Sequence, residues 1–127
     1  MPVKVAVIQE SPVFFAKEET LQKTAALVAE YANQGCQLLV FPESFIPGYP
    51  RGFSFGAVVG SRTPAGRDLY AEYHQHSIDL AGEDLARLES MARQHNTFIV
   101  IGVTERWGGS LYCSMLYLSP VVGLVGV

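Results

Sequence analysis

Apolar positions along the chain change their period several times, and each change marks a new element. Val3 to Gln9 is apolar and rich in β-branched residues, with Pro12 soon after, which predicts a buried strand. Leu21, Thr24, Ala25, Val28, Tyr31 and Ala32 then recur at spacings of three and four, the apolar stripe of a helix. Glu18 and Glu19 stand in its first turn, where carboxylates suit the positive helix end, and Gly35 is placed to close it as a left-handed cap. Gln37 to Phe41 is a short continuous apolar strand halted by Pro42. Strand, helix and strand in such short order make a βαβ unit, so the two strands are expected to run parallel.

Residues 42–66 carry Pro42, Pro47, Pro50 and Pro64, with glycines at 48, 52, 56, 60 and 66. This predicts a long ordered loop or lid, and loops of that length tend to be functional. Helical patterning returns from Arg67 to Ser77, with Leu69, Tyr70 and Tyr73 on one side, and from Glu83 to His95, where Leu85, Leu88, Met91 and Ala92 are the buried set. Thr97 to Arg106 and Ser110 to Ser119 read as two strands of a hairpin, joined through Trp107-Gly108-Gly109. The fold class is therefore α/β, with neither repeat nor interdomain linker in residues 1–127. Val121 to Val127 is apolar, whereas chain ends are commonly polar and frayed; it suggests a domain cut short.

Composition narrows the partners. Of 127 residues, 49% are hydrophobic and 17% charged, as in a globular domain able to bury a core. A formal charge of −3 gives no electrostatic reason to expect nucleic acid or an anionic membrane surface. The longest apolar runs, Leu38 to Phe41 and Phe98 to Val103, are far too short to span a bilayer. Strand patterning begins at Val3, so no signal peptide is expected. Cys36 and Cys113 form no paired motif. Reduced thiols in a cytoplasmic protein are the expectation.

Glu43 is the foremost candidate for chemistry. It follows directly on a strand, at the carboxyl end, where ligands bind in open parallel sheets. Apolar strand neighbours would partly desolvate a carboxylate there and strengthen it as a general base. From position alone, a loop or capping glutamate is the commoner case. His74 and His76 are two apart and would not face one another on a helix, and His95 suits a helix C-terminus. No metal site is expected from them, and the loop glycines are not followed by the Gly-Lys-Ser/Thr of a phosphate loop. No cofactor is implied.

The segment Phe41-Pro42-Glu43-Ser44-Phe45-Ile46-Pro47-Gly48-Tyr49-Pro50-Arg51-Gly52 resembles the first catalytic motif of the nitrilase superfamily. Its Gly-Tyr-Pro-Arg-Gly form is similar to the nitrilase branch proper. Ala6-Val7-Ile8-Gln9, residues 55–64, Gly102-Val103-Thr104-Glu105 and Leu111-Tyr112-Cys113 fall in matching order, so the resemblance covers nearly the whole chain. It implies the N-terminal half of a nitrilase-like αββα sandwich that hydrolyses a small-molecule nitrile to a carboxylic acid and ammonia. Cyanide hydratase or dihydratase, nitrile-to-amide hydration and amidase chemistry are the alternatives on the same scaffold. A non-catalytic fragment associating with full-length chains is the rival from another class.

In that family a Glu-Lys-Cys triad acts through a cysteine thioimidate, and the resemblance implies that Glu43 is the general base and that Tyr49 lines the substrate pocket. A buried structural tyrosine is the other reading of Tyr49. The family's His-Arg-Lys and Cys-Trp-Glu segments have no match in residues 1–127, so the sequence reads as a domain truncated before the catalytic lysine and cysteine. Lys4, Lys17 and Lys23 lie on the first strand and helix, and Cys36 and Cys113 read as packing residues rather than nucleophiles. The sheet is expected to expose an apolar face and a hairpin edge at Leu111 to Leu118, which points to a homo-oligomer.

Overall fold

The computed structural model describes residues 1–56 and 62–127. Part of the predicted lid, residues 57–61, lies outside the described residues. In chain order the elements are β1 (Val5–Val7), α1 (Lys17–Asn33), β2 (Leu38–Val40), α2 (Pro64–Gln75), α3 (Glu83–His95), β3 (Phe98–Trp107), β4 (Ser110–Ser119) and β5 (Gly123–Gly126).

The five strands form one sheet in the order β1-β2-β3-β4-β5. β1, β2 and β3 are parallel, as the βαβ pattern requires, and β3, β4 and β5 are antiparallel. Gly35 takes φ 85 after α1, the left-handed conformation that an L side chain rarely adopts. α2 begins at Pro64, three residues before the predicted start. Thr63 caps it by accepting from the Gly66 amide at 3.1 Å, and proline fits the first turn because no partner is needed for its missing N–H.

One expectation, the open hairpin edge at Leu111 to Leu118, is corrected in part at the end of the chain. Gly123–Gly126 pairs with β4 as a fifth strand, so this apolar segment belongs to the sheet. β4 is consequently no open edge at Tyr117–Ser119, where β5 takes up its backbone groups. The apolar character of this segment follows from pairing and from Leu124 packing on the core.

α1 and α3 cover one face of the sheet. Leu21 and Val28 of α1 and Leu88 and Ala92 of α3 pack on Leu39, Ile99, Ile101, Leu116 and Leu118. Two ion pairs link the helices: Lys17–Asp84 at 2.9 Å, which is part-buried, and the exposed Arg87–Glu18 at 2.7 Å. Side chains alternate along a strand, so Val5, Val7, Phe98, Val100, Tyr117 and Val125 point to the opposite face. At its Thr104 end Tyr73 of α2 reaches that face, bonding Thr104 Oγ1, whereas the Phe98 end is open. Val5, Val7, Phe98, Tyr117 and Val125 are all exposed there.

Candidate active site

Glu43 begins the turn that leaves β2, and β3 holds that turn in place. Phe41 N donates to Val100 O at 2.8 Å, Gly102 N to Pro42 O at 3.1 Å, and Phe45 N to Gly102 O at 2.9 Å. Thr104 N then donates to Ile46 O at 2.8 Å, so the turn runs on beside β3 as a short extra rung of the sheet. Phe45 and Ile46 are fully buried and anchor it from below. Between them and Glu43, Ser44 is buried at φ 46, a conformation that costs energy for a residue with a Cβ and persists only where the surroundings fix it.

The Glu43 carboxylate itself is exposed. The expected desolvation by strand neighbours is corrected here, because the residue stands out from the strand end into solvent-exposed surface. Its direct partner is unexpected. Cys113 Sγ, on the middle of β4, donates to Glu43 Oε1 at 3.0 Å, and Ser44 Oγ lies 3.5 Å from the same sulfur. The hydrogen bond to Glu43 raises the Cys113 thiol above the usual cysteine value, outweighing the opposite effect of Ser44. Cys113 is exposed, so its reading as a packing residue is corrected. β4 places it opposite Thr104, on the face that α1 and α3 leave open. Cys36 is buried, with its carbonyl accepting from Thr97 Oγ1 at 3.2 Å.

Tyr49 stands in the same loop and is 61% exposed, which removes the buried structural reading. Nearby, Phe14, Phe15 and Phe53 stack with centroids 4.4 to 5.6 Å apart, and Phe15 continues onto Tyr73 at 4.9 Å. Tyr73 is buried and bonds Thr104 Oγ1 at 2.6 Å; burial raises its phenol above the ordinary value. The lysines are engaged elsewhere: Lys4 with Gln34 O, Lys17 with Asp84 and Lys23 with Glu10. His74 faces Gly108 O at 3.1 Å, while His76 Nδ1 accepts from the Lys17 amide at 3.3 Å.

Residues 4–127 match the family described as Carbon-nitrogen hydrolase. The chain belongs to that family. Among relatives, a bifunctional nitrilase/nitrile hydratase of Nicotiana tabacum is 44% identical over 115 residues, 91% of this chain and 33% of that protein. Nitrilase 1 of Arabidopsis thaliana is 41% identical over 118 residues, 93% of this chain and 34% of that one. An aliphatic nitrilase of Sinorhizobium fredii is 42% identical over 123 residues, 97% and 40% respectively. The chain spans about a third of the length of the curated relatives it matches.

Solved structures extend the likeness to the fold. An amidase from Nesterenkonia sp. matches with a TM-score of 0.65 at 18% identity, over 98% of this chain and 41% of that one. A CN-hydrolase superfamily protein from Xanthomonas campestris gives 0.70 at 18% identity, over 96% and 38%. This carbon–nitrogen hydrolase therefore shares the mixed α/β architecture of nitrilase-superfamily structures. No helix among its described residues is long and apolar enough to cross a membrane.

The sequence singled out Glu43 and Tyr49, and the fold puts both on one loop beside β3. It did not foresee Cys113, seventy positions from Glu43. Strand alternation was the available signal, since Cys113 lies opposite Thr104. The return of the Glu43 turn over β3 is not written in any local pattern.

Proposed function

We propose that this chain supplies the general base and part of the substrate pocket of a hydrolase that converts a small nitrile to a carboxylic acid and ammonia. The observation that carries the reading is the fixed placement of Glu43 at the carboxyl end of the parallel strands, in a family whose nitrilases match this chain at 41–44% identity. Glu43 takes the proton from a nucleophilic thiol, whose sulfur adds to the nitrile carbon to give a thioimidate. Glu43 returns that proton to the nitrile nitrogen. One water, deprotonated by the same carboxylate, then expels ammonia to leave a thioester. A second water hydrolyses the thioester to the acid and the free thiol. The nucleophile and the lysine come from sequence outside these 127 residues, because the lysines here are engaged elsewhere and Cys113 is held as a thiol. Tyr49, exposed on the Glu43 loop, contacts the substrate.

The tobacco relative's name pairs nitrilase with nitrile hydratase, which favours some release of amide alongside the acid. The free thiols suit a cytoplasmic setting, and the open apolar sheet face suits a homo-oligomer. The test is Glu43→Gln in the complete enzyme, with ammonia, amide and acid all measured. Turnover should fall at least about a hundredfold, since general-base assistance contributes about 10²–10⁴. A folded variant with near-normal kcat would place the base elsewhere.

A further inference from the structure

The Glu43 carboxylate sits on a tight turn, exposed, at the end of a side chain with several rotatable bonds. Left to itself, such a group samples several rotamers, and a reaction that needs one of them loses rate in proportion. One described side chain holds it: the Cys113 thiol, at 3.0 Å from Oε1. That thiol is carried by a ten-residue strand paired with β3 from Ser110 to Leu118, so it is the more rigid partner. Ser44 Oγ, at 3.5 Å, restrains the sulfur from a second side, and Ser44 is itself buried and conformationally fixed.

We propose that Cys113 is a positioning residue for Glu43, whose thiol occupies Oε1 and leaves Oε2 free to take the proton. The proposal rests on Glu43 being the general base. It requires a sulfur that stays protonated, because a thiolate could not donate and would repel the carboxylate. The raised Cys113 thiol fulfils that requirement, and its largest cause is Glu43 itself. The same feature makes Cys113 a poor nucleophile, since the thiolate is the reactive form. An S–H group is a weak donor, so the expected effect is moderate.

Two measurements test this. In the complete enzyme, Cys113→Ala should lower kcat about tenfold with KM within about twofold, and Cys113→Ser, which keeps a donor, should recover to within about threefold of the wild type. Equal losses in both variants, or none in Cys113→Ala, would overturn the positioning role. The second measurement needs no activity. The alkylation rate of exposed Cys113 at pH 8, followed by peptide mass, should rise severalfold in Glu43→Gln, because the carboxylate no longer holds the proton on sulfur. An unchanged rate would refute the contact. If Glu43→Gln abolishes turnover while Cys113→Ala does nothing, positioning fails and the general base stands. If Glu43→Gln keeps near-normal turnover, both fail.

Discussion

Gly102 of β3 lies directly against the backbone of Glu43. Its amide donates to Pro42 O at 3.1 Å, and a Cβ at position 102 would come 2.5 Å from Glu43 Cα and 2.7 Å from Ser44 N, with Pro42 O closer still. These are backbone atoms of a turn bonded to β3 on both sides, so they cannot swing away as a side-chain tip can. The glycine is what allows the carboxylate's turn to sit on the sheet at all.

Gly102→Ala should therefore destabilise the fold by about 1–3 kcal/mol, the usual range for forced overpacking. Cys113 alkylation should rise in the same variant, as Glu43 moves off the sulfur. Urea denaturation with intact-mass labelling reads both, and an unaltered midpoint would mean that the turn is not packed this closely.

The 127-residue chain by itself should release no ammonia from aromatic or aliphatic nitriles. A general base with no activated nucleophile has nothing to act on, and here the lysines are paired away from Glu43 while the Cys113 thiol is raised. Ammonia above a buffer blank would contradict this.

Tyr49→Ala should raise KM severalfold in the complete enzyme while leaving thermal stability within about 0.5 kcal/mol, as for exposed side chains in general. At 61% exposure Tyr49 contributes little to the core. A large drop in melting temperature with normal KM would assign it a structural role instead.

Tyr73 gives the fold an alkaline limit. Its phenol is raised by burial above the ordinary 10.0, so the folded state keeps the proton longer than the unfolded chain. The stability this contributes is complete below about pH 10, the unfolded tyrosine value, and is lost as pH rises through the folded value. Tyr73→Phe should cost about 0.5–1.5 kcal/mol at pH 7 for the lost bond to Thr104 and lose less stability than the wild type above pH 10. Parallel pH dependences of the two proteins would show that Tyr73 does not carry the effect.

The chain should associate with a second copy through the open sheet face. Val5, Val7, Phe98, Tyr117 and Val125 form a continuous apolar set there. Large contiguous apolar patches often mark an interaction site, and burying about 300 Å² contributes about 7.5 kcal/mol before association costs. Sedimentation at micromolar concentration should show a dimer or larger species, shifted toward monomer by Phe98→Glu. A monodisperse wild-type monomer that binds no hydrophobic dye would end this reading.

Periodicity alone determined the βαβ start, both later helices and the hairpin, because each has a local apolar rhythm and its own stop signals. The Phe41 to Gly52 motif likewise marked Glu43 and Tyr49 without any tertiary information. Three features were decided only in the folded chain. β5 depends on β4 being there to pair with it, since four residues from Gly123 to Gly126 have no strand preference strong enough to announce themselves. The exposure of Glu43 depends on where its turn leaves β2, which β3 fixes through Gly102. The Cys113–Glu43 hydrogen bond joins residues seventy positions apart. It exists because parallel pairing of β2 with β3 and antiparallel pairing of β3 with β4 bring the turn and the middle of β4 to the same end of the sheet. Local sequence carries propensity and face, whereas register between distant strands is set only when the whole sheet closes on one core.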